Sequence, residues 1–294
     1  IERYQWIESM NIAYFVAVDG LSLPLLLLTS LLGLSAVLAS WKVQDRVREY
    51  FIWLLLLQTA VAGVFVSLDF ILFFIFWELE LLPMFFLISK WGSGRKDYSA
   101  MKFVIYTFLG SAFMLAAILA LYLSFPEGDR TFDMTILATR NMAALLIPTQ
   151  FIFLGFLLAF AVKLPIVPLH TWLPDAHTDA PTAVSVMLAG VLLKMGGYGF
   201  LRINLGMFPS ESMDFAGPFA IFAVINVMYG AFIVMRQTDL KRLVAFSSIS
   251  HMGFVLLGFA SVGNGGSLNQ LGLNGAALQL FSHGLVSGLL FIAV

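Results

Sequence analysis

Apolar runs of about 20 residues, each long enough for a helix to cross a bilayer, recur along this chain between short polar breaks. They predict nine helical spans, at roughly 19–40, 50–67, 69–89, 103–125, 151–177, 180–201, 217–235, 243–262 and 276–294. The fifth run is unlike the others. Its second half, "AVKLPIVPLHTWLPDAHTDAPT", contains Pro165 and Pro168, which remove backbone donors and clash with the preceding turn. An interruption near Leu164–Pro168 is therefore expected inside this span.

Composition turns that pattern into a class. The chain is 60% hydrophobic and 11% charged, with mean hydropathy +0.93, whereas a soluble domain carries about 25% charged residues. It cannot clothe itself in a solvated surface, so the expected fold is an all-α integral membrane bundle, one transmembrane domain over 1–294. The absence of cysteine excludes disulfides and cysteine-ligated metal or iron–sulfur sites within the chain. A net charge of −1 argues against a nucleic-acid partner. The chain begins at Ile1 without the basic and short apolar regions of a signal peptide, and Val294 lies inside an apolar run. The expectation is a piece of a longer protein, truncated at both ends.

Basic residues predict orientation. Lys42, Arg46 and Arg48 follow the first span, Lys90, Arg95, Lys96 and Lys102 flank the turn after the third, and Arg236, Lys241 and Arg242 follow the seventh. The alternate loops carry only Arg3, Arg130, Arg140 and Arg202. The positive-inside rule places the richer loops, 41–49 and 90–102 among them, in the cytoplasm and the start of the chain outside.

Lys163, Lys194, Glu78 and Glu80 fall within spans. A charge at mid-bilayer costs about 2.5–3.5 kcal/mol on insertion scales, so such groups face protein and meet partners. A structural ion pair or a protonated glutamate would satisfy that demand, and so would a titratable group on an ion pathway. Glu78 and Glu80 lie about 200° apart around a helix, so one pathway cannot take both; the helical phase alone does not choose between them. Lys163 precedes the expected break, where backbone groups at membrane depth must line protein or a watery cavity. Lys194, in "AGVLLKMGGYGFLR", has small neighbours that permit close helix approach and is too central in its span to snorkel comfortably to an interface.

His251 and His283 sit in spans beside Ser and Gly and are candidates for a proton relay, against the alternative of hydrogen-bonded core groups. Ser247, Ser248 and Ser250 are expected to hydrate the route near His251. His170 and His177 lie on the broken segment, with relay and structural roles equally open. Their spacing with Asp175 does not match a helical metal-ligand pair, so no metal site is expected.

The stretches "FWELELLP", "KFVIYT", "VKLPIVPLHTWLPDAH", "APTAVSVMLAGVLLKMGGYG", "DLKRLVAFSSISHMGFVL" and "LQLFSHG" together resemble the antiporter-like proton-pumping subunits of respiratory complex I, the NADH–quinone oxidoreductase. The branch they are most similar to is the one called subunit M in bacteria and chain 4 in mitochondria and plastids. The resemblance implies inverted five-helix repeats, the first over 50–201 and the second beginning at 217–294. It implies that Glu78 is the key membrane glutamate and pairs with Lys163, that Lys194 is the central lysine, and that His251 and His283 carry the route onward. Glu80 has no general counterpart in the family, although "WELEL" resembles the cyanobacterial and plastid form.

The resemblance also implies an activity. The chain would be a non-redox translocase subunit of an NAD(P)H or ferredoxin:quinone oxidoreductase, binding no cofactor itself. Flavin, iron–sulfur clusters and quinone would belong to partner subunits of complex I. The expected location is a bacterial inner membrane, or alternatively the thylakoid. The competing functions are a subunit of a multisubunit sodium/proton antiporter and a subunit of a membrane-bound hydrogenase.

Overall fold

A computed structural model of the chain describes residues 1–140, 142, 145–261 and 269–294. Among these residues, eight helices are long and apolar enough to cross a membrane, and a ninth span is broken. In chain order the elements are α1 (Ser22–Ala39), α2 (Val47–Val66), α3 (Phe70–Leu79), α4 (Leu81–Trp91) and α5 (Lys96–Leu123). The broken span comes next, as α6 (Thr149–Lys163) and α7 (Trp172–Asp179). Then come α8 (Thr182–Leu205), α9 (Ala216–Val234), α10 (Leu240–Phe259) and α11 (Gln270–Ala293). The nine expected runs thus appear as helices, and the chain is a multi-pass membrane protein. The expected end of the eighth run, at 262, lies outside the described residues.

Two spans depart from regular helix beside their buried charges. The third span divides at Glu80 into α3 and α4. Pro83 has no N–H to return to the carbonyl of residue 79, which loosens the ladder there. In α8, the segments Leu188–Leu192 and Phe200–Leu205 are wound as π-helix on either side of Lys194. Such turns open gaps in the backbone ladder and cluster at functional sites.

The apolar pattern held no hint of a two-stranded hairpin at the start. Strands β1 (Glu2–Ile7) and β2 (Ile12–Val16) pair antiparallel, with Arg3 opposite Phe15. Asn11 turns the chain at φ 55°, a left-handed conformation that asparagine tolerates. The hairpin is tied to the bundle by Ala13 N–H donating to Asp69 at 3.1 Å, by Ala17 N–H donating to the Val66 carbonyl at 2.9 Å, and by Arg3 paired with Asp133 at 2.8 Å.

The basic loops gather at the opposite end. There Trp91 donates to the Asp45 carbonyl at 2.9 Å, Lys102 and Arg242 meet Asp175 at 2.7 and 3.6 Å, and Lys241 donates to the Ala180 carbonyl at 2.9 Å. The bundle therefore has a basic end and a hairpin end.

At its centre runs α8, enclosed by α1, α2, α6 and α11. Glycine makes the close approaches possible. A Cβ on Gly196 would stand 2.8 Å from the Leu164 nitrogen and 2.9 Å from the Phe160 carbonyl, both backbone atoms that cannot swing away. A Cβ on Gly284 of α11 would meet the Gly190 carbonyl at 2.6 Å. The central helix is thus pressed against the end of α6 on one side and against α11 on another.

Gly196→Ala should lower stability by about 1–3 kcal/mol, the usual range for overpacking, whereas Gly275→Ala, where an added Cβ meets nothing within 4 Å, should be close to neutral. Thermal unfolding of the solubilised protein distinguishes them; equal midpoints would contradict the packing described.

Candidate functional site: two lysines at openings in the helices

The break after Lys163 is closed by specific partners. Leu164 and Ile166 donate back to the carbonyls of Phe160 and Ala161 at 2.7 and 2.9 Å, and the Trp172 indole donates to the Val162 carbonyl at 3.0 Å. Asn226 of α9 supplies the rest. Its side-chain oxygen accepts from Val167 N–H at 2.8 Å, and its NH2 donates to the Pro165 carbonyl at 3.3 Å. This satisfies groups that cannot remain bare in an apolar interior. The role of Asn226 was not anticipated, although a lone amide in "AIFAVINVMYG" is a signal that could have exposed it.

Lys163 is 1% exposed and forms an ion pair with Glu80, which is fully buried. The ammonium also lies over the faces of Trp77 and Phe103, 5.5 and 5.2 Å from their centroids, where the ring quadrupoles favour a cation. This corrects the expected pair. Glu78 is not the partner of Lys163: it is half-buried, lies beside Ser111 of α5, and contributes only at longer range. The reason is the helical phase, because Glu80 lies at the α3/α4 division and is fully buried against Lys163, while Glu78, about 200° around the helix, is part-buried beside Ser111.

Lys194 is fully buried, and among the described residues its ammonium has no carboxylate in contact. It donates to the Ala189 carbonyl, five residues back and inside the first π-turn. It also meets His283 Nδ1 of α11 at 2.8 Å. The Gly190–Gly284 approach holds that contact in place. His251 of α10 continues the line, with its ring centroid 5.5 Å from that of His283 and its Nδ1 3.3 Å from the Gln279 amide.

A cavity of about 180 Å³ lies against both histidines and is lined by Ser247, Ser248, Ser282 and Ser287 among others, enough polar surface and room for water. Ser250 is absent from that lining. It donates instead to the Val227 carbonyl at 3.0 Å, so the expectation that it hydrates the route is corrected.

Among the described residues, neither histidine of the broken span is hydrogen-bonded to Lys194 or His283, although His177 lies within electrostatic reach of both. His170 packs edge-on against Tyr229 at 4.9 Å. His177 is fully buried and stacks on Phe291 at 4.5 Å. Among the described residues, no cluster of His, Cys, Asp and Glu has the makings of a metal site.

Residues 67–294 match a family profile described as NADH:quinone oxidoreductase/Mrp antiporter, TM, which is most of the chain and includes both lysines. The chain belongs to that family. It is 48% identical over 291 residues to NAD(P)H-quinone oxidoreductase chain 4 2 of Thermosynechococcus vestitus, covering 99% of this chain and 53% of the relative. It is 47% identical over 290 residues to NAD(P)H-quinone oxidoreductase chain 4 3 of a Picosynechococcus species, covering 99% of this chain and 51% of that one. The chain thus spans about half the length of these relatives.

Among solved structures, one chain of respiratory complex I from Thermus thermophilus with bound NADH matches with a TM-score of 0.85 at 28% identity, covering 99% of this chain and 59% of that one. A chain of the Mrp complex from a Dietzia species has a TM-score of 0.81 at 24% identity, over 98% and 53% of the two chains; that likeness shows the fold alone. The resemblance to chain 4 drawn from the motifs is therefore supported by sequence and by fold.

Breaking a buried ion pair from one side costs about 3–5 kcal/mol, whereas removing both partners is often near neutral. Unfolding of the solubilised protein should accordingly show Glu80→Leu strongly destabilised and Glu80→Leu with Lys163→Leu largely recovered. Glu78→Leu should be milder. A Glu78→Leu loss as large as that of Glu80→Leu would reverse the pairing.

Proposed function

We propose that the chain is a proton-translocating membrane subunit of an NAD(P)H or ferredoxin:quinone oxidoreductase, a translocase subunit without redox chemistry of its own. The observation that carries this reading is the Lys194–His283 contact, a buried lysine held against an imidazole that itself lines a cavity bearing four serine hydroxyls. A fixed structural cation would be expected to have a carboxylate; among the described residues Lys163 has one in contact and Lys194 does not. The names carried by relatives at 47–48% identity support the quinone-linked reading over the sodium/proton antiporter and hydrogenase alternatives.

In this reading the basic end faces the cytoplasm and the hairpin end faces outside. Donor, flavin, iron–sulfur clusters and quinone belong to the partner subunits of complex I. The membrane is a bacterial inner membrane, with the thylakoid as the alternative that cyanobacterial relatives favour. The spans at 50–201 form one five-helix repeat and those from 217 begin its inverted counterpart.

The chemistry attributed to this chain is charge movement. Drawing Glu80 toward or away from Lys163 changes the positive potential felt at Lys194, because Gly196 packs the central helix against the end of α6, at the Phe160 and Leu164 backbone and the Lys163 Cβ. A more positive Lys163 favours release of the proton from Lys194 to His283, and water in the serine-lined cavity bridges onward to His251. Each charge moved against the membrane potential requires about 2.3 kcal/mol per 100 mV, supplied by quinone reduction elsewhere in the complex.

Lys194→Ala should remove most proton pumping by the assembled complex in sealed vesicles and slow the coupled quinone reduction. Lys194→Arg should fail as well, because arginine does not release its proton. Full pumping by Lys194→Arg would show that Lys194 is a fixed charge and would sink this reading.

A further inference from the structure

Lys194, Tyr198 and Arg202 are spaced four residues apart on α8. At 1.5 Å per residue, Arg202 stands about 12 Å along the axis from the central lysine, toward the hairpin end. Beyond it a cavity of about 340 Å³ opens, lined by Leu21, Thr135, Leu201, Arg202 and Gly206 among others. Arg202 lines that cavity, and Tyr198 lies one turn further along the helix toward Lys194.

Both side chains are fixed so that they interrupt a proton wire. The Tyr198 hydroxyl is fully buried, donates to the Phe65 carbonyl at 3.2 Å and accepts from Arg202 Nε at 3.2 Å. A hydroxyl relays a proton by accepting on one side and donating on the other. Here the donating direction points to a backbone carbonyl and the accepting one to a group that never gives up its proton.

The ring itself is wedged edge-on against Phe65 at 5.3 Å, with Phe73 at 6.5 Å, so there is an apolar collar around the hydroxyl. Arg202 in turn is paired with Asp19, whose other oxygen accepts from the N–H groups of Leu21 and Ser22 at 3.1 and 2.9 Å. Burial alone would raise the Asp19 carboxyl, but the hydrogen bonds from Ser22 and the Arg202 guanidinium hold it below its ordinary value. The anchor therefore stays ionised at any pH above that lowered value.

We propose that Arg202, clamped between Asp19 and Tyr198, is the barrier that closes the hairpin end of the Lys194 site to protons. A fixed cation at a constriction repels hydronium, as in pores that exclude protons electrostatically. Without such a barrier, the proton gradient built by the complex would drain back through the central lysine. The inference rests on the reading of Lys194 as a proton carrier.

The test is passive proton leak. The assembled complex is placed in sealed vesicles without electron donor, a pH gradient is imposed, and its decay is tracked. Arg202→Gln should speed the decay several-fold, Tyr198→Phe should do so to a smaller extent, and Arg202→Lys, which keeps the charge, should remain tight. The subunit content of the purified complex confirms that each variant has assembled. The double variant Arg202→Gln with Lys194→Ala should be tight again, because the leak path has lost its central carrier. Decay at the unsubstituted rate in Arg202→Gln, or a leak that persists in the double variant, overturns the barrier. If Lys194→Ala alone leaves pumping intact, it is the proton-carrier reading that fails.

Discussion

A charge held within a membrane must find a partner there, and the placement of two lysines under that constraint organises this structure. Each sits where the backbone ladder of a helix has been opened. Lys163 ends α6 at the proline break, and its carboxylate partner Glu80 stands at a second opening, the division between α3 and α4. Lys194 lies between two π-wound segments of α8, and the first of them lends it the Ala189 carbonyl. The glycines at 190, 196 and 284 then matter because they let these opened segments touch.

The two lysines are accommodated differently, and the proposed function assigns them different work on that ground. Lys163 has a carboxylate and two aromatic faces, so its charge is balanced locally. Lys194 has a carbonyl and an imidazole, neither of which brings a negative charge. Two unit charges 4 Å apart repel by about 4 kcal/mol at an effective dielectric constant of 20, so lysine and His283 hold one excess proton between them more readily than two. In the proposed function a proton shared by neighbours of that kind moves when the surrounding potential changes, and the Lys163–Glu80 pair is the proposed source of that change.

Much of this was legible in the sequence because the membrane imposes a simple rule on composition. Nine apolar runs, the prolines at 165 and 168, and the lysines, glutamates and histidines buried among Phe and Leu located the spans, the break and most of the site. What escaped depended on phase and on distant partners. Glu78 and Glu80 differ by only two positions, and the loosening of the ladder at Pro83 that turns Glu80 inward is a three-dimensional effect. Asn226 caps a break about 60 residues away in the chain. Ser250, one residue from His251, points to α9 rather than into the cavity. The hairpin was missed because its strands are held by Asp69 and Asp133, far along the chain, more than by their own apolar pattern.

The claim on which the rest hangs is that Glu80, and not Glu78, is the carboxylate that controls Lys163. The most direct test is the number of protons pumped per electron pair by the assembled complex in sealed vesicles carrying Glu80→Gln or Glu78→Gln. The pairing described here predicts that Glu80→Gln loses a large part of the pumping while Glu78→Gln retains most of it. The opposite ranking, with assembly intact in both, would contradict it.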